Sequence, residues 1–334
     1  MSNKIGFAVL GLGHIGQKHC MHISNNPNAI LIATADINSD LKYEDYKNQV
    51  NIDNLLSNKH IDVVNICTPN GLHAQQAIHC LNAKKHVVIE KPLALSISDS
   101  KEIEVVSLKN NKFVFCVMQN RFSPPSQWLK NLILSKTIGN IFSIQINCFW
   151  NRDDRYYTPN HWHGNMALDG GPLFTQFSHF IDLLYWIFGE IKINYAQFEN
   201  FNHSHSTQFE DSGIVTFSII SGGVGSINYS TSVHDKNFES SISIIGENGT
   251  VKLGGQYMNE ISYCHIKDYQ MPTLEKSNPP NNYGNYQGSA SNHPFVIQNV
   301  IDTLNNTSSP HTKVTDGMAV VKIIEDIYKY RKLI

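Results

Sequence analysis

The chain has 334 residues, of which 26 are basic and 28 acidic, for a formal net charge of -2. A chain this long splits into two domains and buries enough apolar surface to need no disulfide staples. The near balance of charge lacks the electrostatic footprint of a nucleic-acid or anionic-membrane binder, so a small-molecule partner is expected.

The first stretch, Ile5 to Leu10, is short, aliphatic and β-branched, and it stops at Gly11, as a buried parallel strand does. Gly11, Gly13 and Gly16 follow. Gly11 allows the tight turn, Gly13 lets the backbone approach a pyrophosphate, and Gly16 lets the next helix pack closely on its strand. The helix opening near His14 aims free N–H groups at that anion. A second strand, Ala29 to Ala35, ends in Asp36, 20 residues after Gly16. That is the spacing at which an acid receives ribose hydroxyls. Strand, triplet, helix, strand and acid in this order predict a dinucleotide site. Asp36 would repel a ribose phosphate, and Ile37-Asn38 supplies no arginine to receive one, so NAD is the expected cofactor.

Ile37 to Lys59 is polar and asparagine-rich, with Ile52, Leu55 and Leu56 suggesting a short helix. Strand Asp62 to Cys67 then delivers Thr68-Pro69-Asn70 at its carboxyl end, where ligands bind in open parallel sheets. Helix Ala74 to Ala83, strand His86 to Ile89, helix Ser98 to Asn110 and strand Phe113 to Met118 complete the alternation. The last two strands present Glu90-Lys91-Pro92 and Gln119-Asn120-Arg121. This is the pattern of an α/β Rossmann domain with a doubly wound parallel sheet.

Ser123-Pro124-Pro125 marks the boundary, giving an NAD-binding domain over 1–121 and an α+β substrate and oligomerisation domain over 122–334. From Phe142 the residues alternate, with Phe142, Ile144, Ile146, Cys148 and Trp150 on one face. Similar strands at Gly213–Ile219, Gly223–Ser230, Ser240–Ile245 and Val251–Leu253 predict a large open, mainly antiparallel sheet. A helix from about Phe174 to Phe188, closed by Gly189, carries His179 and Asp182. Met271 to Ser291 reads as a long loop, and Pro294–Leu304 and Thr315–Tyr330 as terminal helices.

The six cysteines are scattered and lack a C-x-x-C pair, so they read as free, buried thiols. His161/His163 and His203/His205 lack the context of a zinc site, and no metal is expected. With no signal peptide and no apolar run of transmembrane length, the chain is expected in the cytoplasm.

Oxidising a secondary alcohol requires a base for the hydroxyl proton while hydride leaves. A lysine serves once burial and a nearby cation lower its proton affinity, and Lys91 at the sheet's carboxyl edge is the candidate.

Taken together, the glycine turn, Thr68-Pro69-Asn70, Glu90-Lys91-Pro92, and Gly170-Gly171 followed by His179 resemble the glucose-fructose oxidoreductase and inositol dehydrogenase (Gfo/Idh/MocA) family along nearly the whole chain. The resemblance implies catalysis by Lys91 and His179, and a homodimer or homotetramer built on the open sheet. It implies a cofactor set of Gly11, Gly13, His14, Ile15, Gly16, Asp36, Ile37, Thr68, Pro69, Asn70, His73, Glu90, Lys91, Gln119 and Trp162. Many relatives carry an aspartate four residues before the histidine, where this chain has Thr175; that departure removes an acid.

Phe149-Trp150, Tyr156-Tyr157, Trp162 and Leu168-Asp169-Gly170-Gly171 resemble relatives acting on nucleotide-linked uronic acids, although His163 stands where an arginine is expected. This implies a UDP-linked N-acetylated glucuronate oxidised at its third carbon, for surface polysaccharide sugars. The implied substrate contacts are Lys91, Arg121, Tyr156, Tyr157, Asp169, Thr175 and His179. Arg121, Arg152 and Arg155 are candidates for diphosphate or carboxylate oxygens. A pathway aminotransferase is the expected consumer of the ketone. The competing readings are a ketosugar reductase or inositol dehydrogenase of the same family, and a non-catalytic dinucleotide-binding regulator.

Overall fold

A computed structural model describes residues 4–38, 49–159, 161–284 and 286–331. Two compact units divide the chain, Met1–Met118 with His293–Val321, and Gln119–Asn292 with Lys322–Ile334.

The first unit is built on five parallel strands: β1 (Ile5–Leu10), β2 (Ala29–Ala35), β3 (Val63–Ile66), β4 (His86–Ile89) and β5 (Val114–Cys116). Their order is β2-β1-β3-β4-β5. Strand β1 therefore lies where the strand order reverses, the point at which doubly wound sheets take ligands. Helices α1 (His14–Ser24), α2 (Ile52–Ser57), α3 (His73–Asn82) and α4 (Ile97–Asn110) connect them. Phe7, Ala8 and Val9 of β1 are fully buried, as an aliphatic strand covered on both faces must be. The short helix expected around Leu55 is α2, started by Asn51, whose side chain accepts from Asn54 N–H. Residues 39–48 of the polar segment before it lie outside the described residues.

The second unit begins with α5 (Pro124–Leu134), then β6 (Ile141–Phe149), α6 (Pro172–Thr175) and α7 (Ser178–Phe188). Strands β7 (Ile191–Glu199), β8 (Ser212–Ile219), β9 (Val224–Ser230), β10 (Glu239–Gly246), β11 (Gly249–Gly254) and β12 (Glu260–Ile266) follow. With β6 they form a seven-stranded sheet in the order β12-β11-β10-β6-β9-β8-β7. Its neighbours are antiparallel except the central pair β6–β9, which is parallel. The expected open, mainly antiparallel sheet is present.

One face of this sheet carries the core. Ile144, Ile146 and Cys148 are buried, while Phe142, in phase with them, stays half exposed. Helix α7 is seated on that face by aromatic edges: Phe177 and Phe180 lie 5.6 and 5.8 Å from Trp150, and Phe177 lies 5.6 Å from Tyr229. Trp150 Nε1–H donates to Ser240 Oγ at 2.7 Å, satisfying the buried indole.

Several elements differ from the sequence reading. Ser123-Pro124-Pro125, expected at a domain boundary, also starts a helix the sequence reading did not name, α5, because a proline's missing N–H costs nothing in the first turn of a helix. The helix expected over Phe174–Phe188 is broken at Gln176–Phe177 into α6 and α7. The loop Met271–Ser291 contains a small ribbon, β13 (Pro280–Asn282) and β14 (Gln287–Ala290). The segment from His293 to Val321 groups with the N-terminal residues, so the compact units divide the chain differently from a single cut at residue 121. Helix α8 (His293–Leu304) and the start of α9 (Val314–Tyr328) explain this. Gln298 accepts from Asn26, Thr312 donates to Cys116 O, and Gly317 passes so close to Leu93 that an added Cβ would sit 2.9 Å away.

Alternation on β6 sets a direct test. Ile146→Ala, fully buried, should lower the unfolding free energy by about 2–5 kcal/mol. Gln145→Ala, on the opposite exposed face, should change it by no more than about 0.5 kcal/mol. Urea unfolding of the two variants checks the pair; equal losses would overturn the assignment of faces.

Candidate active site

At the end of β1, Gly11 adopts φ 92°, a conformation that L side chains rarely take. A Cβ on Gly16 would stand 1.8 Å from Gly11 O, so the helix approaches the turn only because residue 16 has no side chain. Gly13, by contrast, is exposed, and a Cβ there would meet no atom within 4 Å. The protein thus leaves the space over the N-terminus of α1 open, which fits a pyrophosphate lying across Gly13, His14 and Ile15. Asp36 stands just beyond β2 with its carboxylate oriented by two main-chain donors, Leu12 N–H at 2.6 Å and Asn38 N–H at 2.7 Å. Its neighbour Ile37 is exposed. This loop fits NAD.

The other strand ends bring Thr68, Pro69 and Asn70 after β3 and Glu90, Lys91 and Pro92 after β4. His73 opens α3 as a brace between these two turns. Its Nδ1 lies 2.7 Å from Pro92 O and its Nε2 2.9 Å from Thr68 O, and the ring is fully buried. A neutral imidazole donates through one nitrogen only, so the ring links the two turns by a hydrogen bond to one carbonyl and close contact with the other. Burial pushes its proton affinity down, against the pull of the two carbonyls.

Glu90 is buried, and one of its oxygens lies 2.9 Å from His19 Nε2 and 3.3 Å from His293 Nε2. Burial pushes the carboxyl up, but the two histidines outweigh it and hold Glu90 well below the usual carboxylate range. Neither His19 nor His293 is singled out by the sequence reading. His19 carries only the weak signal of facing inward on α1, three residues after Gly16, and His293 stands 203 residues from its carboxylate, beyond any motif.

In the second unit, His179 is the second residue of α7 and is buried. Gly171, at φ 112°, lies where a Cβ would come within 2.7 Å of the Tyr328 hydroxyl, which explains a glycine before α6. Thr175 donates its hydroxyl to the Asp169 carboxylate and to Asp169 O at 3.0 Å. The other Asp169 oxygen accepts from Gly164 N–H at 3.0 Å, and the residue is fully buried. Tyr156 and Tyr157 pack edge to face beside it, at 5.0 Å. Burial, followed by the Asp169 charge, pushes both phenols up. Half-buried Trp162 packs at 4.0 Å on His163, which in turn stacks at 4.0 Å on Tyr156. Gln119 is occupied at the unit's edge, accepting from Asn292 N–H at 3.1 Å through its side chain and from Asn292 Nδ2 at 3.2 Å through its carbonyl.

The three arginines expected to receive an anion are each engaged by the protein. Arg121 forms a buried fork on Asp182, with Nε and Nη2 2.9 and 2.6 Å from its oxygens. Arg152 is buried among Trp150, Tyr156 and Tyr286 and donates to Gln287 O at 3.0 Å and Asn237 Oδ1 at 3.1 Å. Arg155 is exposed and pairs with Asp153 at 2.7 Å. Each therefore has a protein acceptor, while Arg152 Nε, buried, has no hydrogen-bond partner among the described residues. Among histidines, His203 faces Asp211 at 3.3 Å and His205 faces Asp154 at 3.1 Å. Among the described residues, the group with metal-ligand spacing is a different one, His19, Glu90 and His293.

Residues 5–117 match the oxidoreductase family, NAD-binding Rossmann fold, and residues 126–252 match the GFO/IDH/MocA C-terminal domain. The WlbA dehydrogenase of Bordetella pertussis, solved in complex with NADH and UDP-GlcNAcA, superposes with a TM-score of 0.86 at 28% identity, covering 98% of this chain and 96% of that one. The WlbA dehydrogenase of Chromobacterium violaceum, in complex with the same two ligands, gives 0.85 at 31% identity, with 98% and 94% covered. Myo-inositol 2-dehydrogenase of Thermotoga maritima is 27% identical over 189 residues, 54% of this chain and 54% of that protein, so the chain spans about half the length of this curated relative. Both family domains follow one another along a single chain, the first ending its strands in the glycine turn and the Glu90-Lys91-Pro92 turn described above, and the protein therefore belongs to the GFO/IDH/MocA oxidoreductase family.

Proposed function

We propose that the chain is an NAD-dependent dehydrogenase that oxidises a secondary hydroxyl of a nucleotide-linked sugar, UDP-N-acetylglucosaminuronate at its third carbon. The observation that carries this reading is full-length likeness to two dehydrogenases solved with NADH and UDP-GlcNAcA, at 28% and 31% identity. Partial likeness to an inositol dehydrogenase keeps a free cyclitol as the second reading. A non-catalytic regulator would have no use for both Lys91 and His179.

In this reading Gly13, His14 and Ile15 present the N-terminus of α1 to the pyrophosphate, and Asp36 receives ribose hydroxyls. Oxidised nicotinamide, when bound, supplies the acceptor for hydride. Lys91 takes the hydroxyl proton, with His179 as the second catalytic side chain. The acid missing at position 175 is replaced indirectly, because the Thr175 hydroxyl is tied to the buried Asp169 carboxylate. With its proton committed to Asp169, Thr175 offers the ligand an acceptor. Tyr156 and Tyr157 wall the same part of the second unit.

We further propose a homo-oligomer built on the outer face of the seven-stranded sheet. Tyr195, Ile214, Val224, Ile245 and Tyr263 all point outward there and are about half exposed. A run of apolar side chains on one face marks an interaction surface. Sedimentation at micromolar concentration should give a dimer or tetramer, and Ile214→Asp with Val224→Asp should weaken it; a wild-type monomer overturns this proposal.

Initial rates with NAD should exceed those with NADP about fivefold or more at equal concentration, since like charges in contact cost on the order of 1 kcal/mol even in water. Equal rates would remove Asp36 from its role. A panel of free inositol, free glucuronate, UDP-N-acetylglucosamine and UDP-N-acetylglucosaminuronate, with and without a ketone trap, should show the UDP-uronate oxidised fastest, by product mass and NADH absorbance. On that substrate Lys91→Ala should lower turnover about 100-fold or more while NADH affinity stays near wild type. Faster oxidation of inositol would sink the substrate, and near wild-type turnover of the lysine variant would shift the base to His179.

A further inference from the structure

We propose that His19 and His293 are positioning residues that lock Glu90 and, through it, the backbone of Lys91; the inference rests on Lys91 being the base. Glu90 Oε1 meets both imidazoles, and Glu90 Oε2 accepts the Lys91 N–H at 3.2 Å. The carboxylate therefore ties the amide of the proposed base to two helices, α1 through His19 and α8 through His293.

Each histidine is itself held. His19 Nδ1 lies 2.7 Å from Asn65 Nδ2 on β3. With that amide donating, the ring proton sits on Nε2 and is given to Glu90. His293 is the first residue of α8 and only 1% exposed. Its ring lies 5.4 Å from that of His19 and stacks at 6.2 Å on that of His22. Neither nitrogen of His293 has a well-aligned hydrogen bond among the described residues, although Nε2 comes within ion-pair distance of Glu90.

A buried polar group left this poorly satisfied is costly, and an apolar side chain would fill the same space without that cost. The polarity of the ring is accounted for by Glu90 alone. The carboxylate is hydrogen-bonded by His19 on one side and met by His293 on the other, which orients the amide of Lys91 at the strand end. His293 follows directly on Asn292, which is bonded to Gln119. The residue that closes the clamp is thus the first one of the returning chain.

The test compares His293→Leu, His293→Gln, Glu90→Gln and Lys91→Ala in the full chain. It measures NADH affinity by fluorescence titration, KM and kcat on UDP-N-acetylglucosaminuronate, and the pH dependence of kcat. His293→Leu should lose about 10- to 100-fold in kcat with KM and NADH affinity near wild type, the scale of a misplaced reacting group. His293→Gln should recover most of the loss, because its amide N–H can replace the Nε2–H. The isosteric Glu90→Gln should reproduce the kcat loss with intact histidines, which keeps the inference testable if the leucine variant does not fold. A variant combining His293→Leu with Glu90→Gln should be no worse than the poorer of those two single variants.

Wild-type kcat in His293→Leu or in Glu90→Gln overturns the inference, as does a glutamine variant no better than the leucine one. Elemental analysis showing one zinc per chain that His293→Leu abolishes would also overturn it, making the three donors, all within 4.8 Å of one another, a metal site. If Lys91→Ala keeps wild-type turnover, the reading of Lys91 has failed instead. If Lys91→Ala is inactive while the clamp variants are fast, only the clamp has failed.

Discussion

A side chain that is absent sets the geometry of the N-terminal unit. Because Gly16 has no Cβ, α1 packs against the Gly11 carbonyl at a distance that alanine would forbid. That closeness gives the helix N-terminus to the open space above Gly13. It also carries His19, one turn further on, to Asn65 on β3 and to Glu90 at the end of β4. The open end of the helix and the support of the Glu90-Lys91-Pro92 turn are two consequences of the same contact. A bulky residue at position 16 would displace both together.

The second unit depends on a different device, a helix fastened to a sheet by large rings. Trp150 and Tyr229 receive Phe177 and Phe180, which flank His179 in the sequence, so the packing rings fix the helix on either side of that histidine. The Arg121–Asp182 fork adds a charged tie to α7 from the 3-10 turn that precedes α5. Removing one partner of such a buried pair leaves an uncompensated charge, typically a loss of about 3–5 kcal/mol. Asp182 is three residues beyond His179, on a neighbouring part of the helix surface, so the fork steadies the helix that carries the histidine.

Much of the site's chemistry was legible because it is written in local order. A strand followed by a glycine turn, a helix and an acid is a short-range pattern, and Asp36 stands where it predicts, bonded to Leu12 N–H. The turns after β3 and β4 were legible for the same reason. Arg121, Arg152 and His73 mark where that legibility stops, because a sequence shows a side chain's capacity for bonding and not which protein groups it meets. In the fold these side chains meet Asp182, Gln287 O with Asn237, and Thr68 O with Pro92 O.

By itself the sequence determined the parallel sheet, the dinucleotide turn, the position of Lys91 at a strand's carboxyl end and the one-sided alternation of β6. Each follows from covalent geometry and periodicity within a few residues. Tertiary structure alone decided that His293–Val321 groups with the N-terminal residues, that Asp169 reaches the Thr175 hydroxyl, and that Glu90 is gripped by His19 and His293. His19 and Glu90 are 71 residues apart, and Gln119 and Asn292 are 173 apart. Such pairs are chosen by which buried donors and acceptors remain to be satisfied once the chain has packed, and no local spacing encodes that choice.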